Sequence, residues 1–152
     1  MQDDAMRILG VITGTKDLHV AVVTSGTASA TAATLKKVVL PIDEDESARL
    51  HRTLQLLDTL LLDEKVDRIA VVKAGQAKFG NASSLRHKVE CVVQLAGVGR
   101  NLPVTVVSPQ TLRAFEKKND PQVLVGDAGF SPVGSRDAAL AAWIELRKHD
   151  KS

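Results

Sequence analysis

The chain has 152 residues, 44 % of them apolar and 25 % charged, which fits one soluble domain of ordinary size with its own core. Its formal net charge is +2, so it lacks the global basic field of many nucleic-acid binders and any such surface must be local. Aromatic residues make up 3 %, with no Tyr, so the core must be built from Val, Leu, Ile and Ala.

Arg7 to Ile12 is a short apolar strand. Thr13-Gly14-Thr15-Lys16-Asp17 is a Gly-containing turn, and His19 to Val23 is apolar again. Together they spell a β-hairpin. Thr24 to Thr34 is small, polar and low in complexity, and reads as an exposed connection. Leu35 to Ile42 is a third strand, with Lys36 and Lys37 suited to guarding a sheet edge. Pro41 and the acidic run Asp43 to Glu46 stop it and prepare a helix N-terminus.

The spacing of Leu50, Leu54, Leu57 and Leu61 predicts a helix over Ser47 to Glu64. Leu56, Leu60 and Leu62 widen its apolar arc, which serves either a broad core face or a dimer contact. Ile69 to Val72 is a short strand of the buried type. The Gly-rich loop Lys73 to Ser83 leads into a helix over Ser84 to Ala96, capped by Ser83, with Leu85, Val89, Val92 and Ala96 as its apolar face. Cys91 lies in that helix between apolar residues and reads as a buried structural thiol. As the only cysteine it excludes an internal disulfide and suits a reducing compartment.

Leu102 to Val107 is a further buried strand. Ser108-Pro109 is a strong helix start, followed by a short helix to Lys118. Asn119 to Gly134 is rich in Pro, Gly and Asp and reads as a loop. The last helix runs from Ser135 to Lys148, with Trp143 as a core or interface anchor. Three antiparallel strands followed by βα units predict an α/β fold, a mixed five-stranded sheet with helices on both faces. A single domain over residues 1–152 is expected, with Met1–Ala5 and the C-terminal few residues loose. The polar start Met1-Gln2-Asp3-Asp4 lacks the character of a secretory signal, and no run approaches the ~20 apolar residues of a membrane span. A cytoplasmic protein with no membrane partner is expected.

The N-terminal hairpin and its turn resemble the opening of two large groups, the ribonuclease-H-like nucleases and the actin and sugar-kinase ATPases. The element order is similar to that of the ribonuclease-H-like fold, and most of all to its RuvC-type Holliday-junction resolvase branch. It also resembles a small bacterial family of uncharacterised function on that fold. Ile8-Leu9-Gly10-Val11 with Gly14 is similar to the I-L-G-I-D-P-G start of the resolvases. Ser108 to Arg113 falls at their short polar helix after strand five, and Asp137-Ala138-Ala139-Leu140-Ala141 resembles their closing D-A-L-A helix.

That resemblance implies phosphodiester hydrolysis by two divalent metal ions, held by carboxylates from strand one, strand four and the last helix. This chain departs from the pattern. Ile12 occupies the strand-one position, Val72 or Lys73 the strand-four position, and only Asp137 matches. Lys73 would repel a cation. The leading expectation is therefore a catalytically inactive relative acting as a binding or interaction module with no cofactor. The alternatives are a nuclease using Mg²⁺ or Mn²⁺ on Asp137 with Asp17 or Glu90, and a structural homo-oligomer, such as a homodimer, formed through the Leu-rich helix.

The loop after strand four offers Lys73, Lys78 and Phe79, and the following helix offers Arg86, His87 and Lys88. This set is the candidate anion or nucleic-acid site, with Phe79 placed to stack on a base. It lies beyond the carboxyl end of a parallel strand, where ligands dock in such sheets. The turn Thr13 to Lys16 could cradle a phosphate through its N–H groups, but an ordinary hairpin turn explains it as well. His19, His51, His87 and His149 show no ligand spacing, and a zinc site is not expected.

Overall fold

The computed structural model describes residues 6–13, 17–24, 32–40, 45–73, 81–118 and 134–150. Five strands form one sheet: β1 (Arg7–Thr13), β2 (Asp17–Thr24), β3 (Ala32–Val39), β4 (Arg68–Val72) and β5 (Val104–Val107). Their spatial order is β3-β2-β1-β4-β5. The first three pair antiparallel, whereas β4 runs parallel to both β1 and β5. Four described helices accompany them: α1 (Glu46–Asp63), α2 (Asn81–Gly99), α3 (Pro109–Lys118) and α4 (Gly134–Asp150). The ribonuclease-H-like, mixed α/β architecture expected from the sequence is the one observed.

Alternation along the strands creates two cores. On one face Leu9, Val11, Leu18, Val20, Ile69 and Val71 pack with Leu57 and Leu61 of α1 and with Val89, Val93 and Ala96 of α2. On the other, Ile8, Ala21, Val23, Ala70 and Val72 pack with Leu112 of α3 and with Ala138 to Trp143 of α4. Trp143 is a core anchor, 2 % exposed. The run of alanines lets α4 approach the sheet closely. At Gly10 an added Cβ would lie 1.8 Å from the Ala138 carbonyl oxygen, so only glycine fits beneath the helix.

The helix ends are set by local chemistry. Asp45 caps α1, its carboxylate accepting the Ala48 N–H at 3.2 Å. Ser108 caps α3, accepting the Thr111 N–H at 3.1 Å, with Pro109 at the first helical position. Lys65 and Asn101 adopt left-handed φ of 52° and 60°, which turns the chain out of α1 and α2 towards β4 and β5. Arg7 ties that turn to the sheet: its Nη2 lies 3.2 Å from Glu64 Oε1, and its N–H donates to Asp67 Oδ2 at 2.9 Å.

Several sequence expectations need correction. β3 begins at Ala32 and ends at Val39, three residues ahead of the expected strand. Ala32 and Ala33 enter it because they pair with Thr24 and Val23, although nothing in their own polarity marks a strand. α2 starts at Asn81, so Ser83 is inside the helix and is not its cap. β5 is a sheet edge, with Val106 43 % exposed, and is only partly buried. Cys91 is exposed, because it points away from the face carrying Val89, Val92 and Val93. Leu62 of α1 is also exposed, while Leu50, Leu54 and Leu60 border the core. Among the described residues no helix is long and apolar enough to cross a membrane.

Candidate functional site

The carboxyl ends of the parallel strands β1, β4 and β5 lie along one edge of the sheet. β5 passes into the N-terminus of α3 there through Ser108. The N-terminal part of α4 lies there as well: Ala138 sits over Gly10, and the helix then descends to Glu145, which meets Arg68 at the opposite end of β4 at 3.4 Å. α2 reaches the same edge through Arg86, whose Nε donates to the Thr13 carbonyl at 3.0 Å. Ligands commonly bind at this edge of open parallel sheets.

The strand positions where the resemblance would put metal-holding acids carry Ile12 on β1 and either Val72 or Lys73 on β4. Ile12 and Val72 are register partners in the β1–β4 ladder. Val72 is 3 % exposed and belongs to the core under α4, and Ile12 packs against it. Lys73 follows at the strand end, with its N–H donated to the Val107 carbonyl at 2.8 Å and its side chain exposed.

Asp137, the acid that matches the closing-helix motif, stands at this edge but is engaged. Its Oδ1 lies 2.5 Å from Nη2 of Arg113 on α3. The same guanidinium holds Glu116 through Nη1 at 2.9 Å. Arg113 therefore places a fixed positive charge against the carboxylate a metal ion would need.

The other two acids do not complete a metal site. Asp17 Oδ1 is 3.6 Å from His19 Nε2 on its own strand. Glu90 is buried on α2, the helix covering the opposite face of the sheet from α4. Among the described residues no three His, Cys, Asp or Glu side chains gather as a metal site requires. The described acids do not by themselves fit a pair of hard divalent ions, which need several converging oxygen ligands.

Of the expected anion-binding residues, the structure brings Lys73 and Arg86 to one place, at the ends of β4 and β1. Lys88 is further along α2 and is paired with Glu46 of α1 at 2.6 Å. Lys78 and Phe79 lie outside the described residues. Sequence alone leaves Arg113 unassigned, since its partner is 24 residues away, and considers Thr13 only through the backbone N–H groups of its turn. The Thr13 hydroxyl is buried and has no hydrogen-bond partner among the described residues.

The strand order and the α4 crossing give the chain a ribonuclease-H-like fold of the RuvC type. Solved structures of the same fold include Thermus thermophilus RuvC in complex with a Holliday junction substrate, at a TM-score of 0.77 and 16 % identity over 97 % of this chain and 96 % of that one. The yeast mitochondrial Holliday junction resolvase Ydc2 aligns at a TM-score of 0.71 and 16 % identity, over 95 % of this chain and 81 % of that one. More particularly, the chain belongs to the family described as Protein of unknown function (DUF3010), whose family model it matches over residues 6–143. No curated protein matches it.

Proposed function

We propose that this protein is a non-hydrolysing relative of the RuvC-type resolvases that binds nucleic acid as a single-domain module, through the edge formed by Lys73 and Arg86, with Lys88 further along α2. The observation that carries the reading is the pairing of Asp137 with Arg113 beside the apolar pair Ile12 and Val72. Together they put a guanidinium and two aliphatic side chains where hydrolysis needs cation-holding acids. The fold supports the partner class: the aligned RuvC structure holds a Holliday junction substrate. Fold by itself does not assign function, so the reading rests on the charge at this edge.

Binding to branched and to single-stranded DNA should weaken steeply as salt rises, because each phosphate contact releases counterions. Cleavage should be absent in Mg²⁺ and in Mn²⁺. No binding at low salt would overturn the reading, and so would metal-dependent cleavage abolished by Asp137→Ala.

A homodimer is a second reading, favoured by one observation. Leu95 and Val98 on the outer side of α2 are 63 % and 66 % exposed. Leu95 also lines a groove between α1 and α2 together with Leu54, Asp58 and Arg100. A second copy seated there would cover apolar surface that a monomer leaves in water. Sedimentation equilibrium decides it: a dimer lost in Leu95→Glu supports this reading, and a monomer at high protein concentration ends it.

A further inference from the structure

The carboxyl end of β1 holds a polar atom with nothing to bond. Thr13 is 3 % exposed, and its Oγ1 has no hydrogen-bond partner among the described residues. Buried hydroxyls are nearly always paired, so such an atom calls for an explanation. The backbone carbonyl of the same residue accepts Arg86 Nε, which holds the guanidinium against Thr13. Neither Nη1 nor Nη2 of Arg86 bonds to a described residue.

Lys73 stands beside them. Ile12 and Val72 are register partners, so the next residues, Thr13 and Lys73, end adjacent parallel strands spaced about 4.8 Å apart. The Lys73 side chain is exposed and makes no ion pair with a described residue. One hydroxyl, one guanidinium and one ammonium thus belong to two adjacent strand ends and to the helix residue bonded to one of them. All three are donors in that arrangement. The guanidinium fork matches two oxygens of a tetrahedral anion, the ammonium supplies a point charge, and the hydroxyl supplies one directed bond.

We propose that Thr13, Arg86 and Lys73 form a seat for one phosphate group, and that the seat works without a divalent ion. It rests on the reading given above and specifies its ligand: on a nucleic acid the seated group is a backbone phosphodiester. Fixed cations supply the charge that metal ions supply elsewhere on this fold. The buried Thr13 hydroxyl donates to a phosphate oxygen instead of remaining unpaired.

The test is a titration of the full chain in EDTA, first with inorganic phosphate and then with a short single-stranded oligonucleotide, followed through the backbone amide signals of Thr13 and Lys73. Both ligands should give saturable shifts at these amides, and phosphate should compete with the oligonucleotide. Thr13→Val keeps the shape of the side chain and removes the hydroxyl. It should weaken both ligands about tenfold, the scale of one charge-assisted hydrogen bond. Thr13→Ser should restore binding, and Arg86→Gln should weaken it again.

If Thr13→Val binds phosphate as the parent does, the seat is refuted, and the hydroxyl is merely a structural or hydrated group. Absence of any saturable phosphate shift refutes it as well. The two proposals fail separately. Phosphate binding without oligonucleotide binding removes the nucleic-acid reading and leaves the seat. Oligonucleotide binding that ignores phosphate and Thr13→Val removes the seat and leaves the nucleic-acid reading.

Discussion

Ile12 and Val72 face one another across the β1–β4 ladder, and both side chains contribute to the apolar core beneath α4. An acid at either place would meet that core, and it would be tolerated only with a cation to pair it. The neighbouring carboxylate of Asp137 already has its cation in Arg113. Among the described residues this edge is apolar where the strands end, and its acid is paired where α4 begins.

Rebuilding the missing acids should reverse this. Ile12→Asp alone should destabilise the fold by roughly 1–3 kcal/mol in EDTA, because it places a charge beside an apolar core. Combined with Val72→Glu and Arg113→Ala, it should create a site that Mg²⁺ or Mn²⁺ stabilises, by about 2.7 kcal/mol at a metal concentration of about 100 times Kd. Thermal melts with and without metal check this. The parent should show no such metal-dependent rise in Tm.

Removing the Arg113 ion pair on its own should cost little. Both partners are partly exposed, with side-chain exposures of 48 % and 29 %, and pairs of that kind contribute about 0–1 kcal/mol. Arg113→Ala should lower stability in urea by less than about 1 kcal/mol. A loss several times larger would show that Arg113 holds α3 to α4 as a structural clamp.

Gly10 should be the least tolerant position in β1. Gly10→Ala drives a methyl group into the Ala138 backbone, where no rotamer can relieve it, so the helix must move off the sheet. A cost of about 3 kcal/mol or more is expected. Gly99 at the end of α2 has nothing near its would-be Cβ. There Gly99→Ala should be neutral or stabilise by roughly 0.5–1 kcal/mol. Paired denaturation curves test the contrast.

The salt dependence of DNA binding should separate the lysines. Lys73→Gln should reduce the slope of log K against log salt by about 1, as expected for one lost phosphate contact. Lys88→Gln should change it less, because Lys88 is paired with Glu46 in the free protein. Equal changes at both positions would show that the Lys88 pair opens on binding.

The architecture was legible because the strands alternate and the helices carry clear starts at Asp45 and Ser108-Pro109. β3 was misplaced because Ala32 and Ala33 are strand residues only by virtue of their partners on β2. The burial expected for Cys91 fails because a neighbour in sequence is rotated by about 100° on a helix, so apolar residues on both sides of it do not imply burial. Ile12 could be read directly, since the missing acid is a local fact. The role of Arg113 could not, because its contact with Asp137 joins two helices and no spacing rule announces it. The unpaired hydroxyl of Thr13 is likewise a property of packing. In sequence, Thr13 is one more turn residue.

Gripping phosphate with fixed cations, without hydrolysing it, is the proposed behaviour of this edge. The most direct measurement is binding and cleavage of one branched DNA substrate, in EDTA and in Mn²⁺, by the parent and by Asp137→Ala. Binding of equal strength in both conditions, with intact DNA recovered from both proteins, is the predicted result. Cleavage that requires Mn²⁺ and disappears in Asp137→Ala would contradict it.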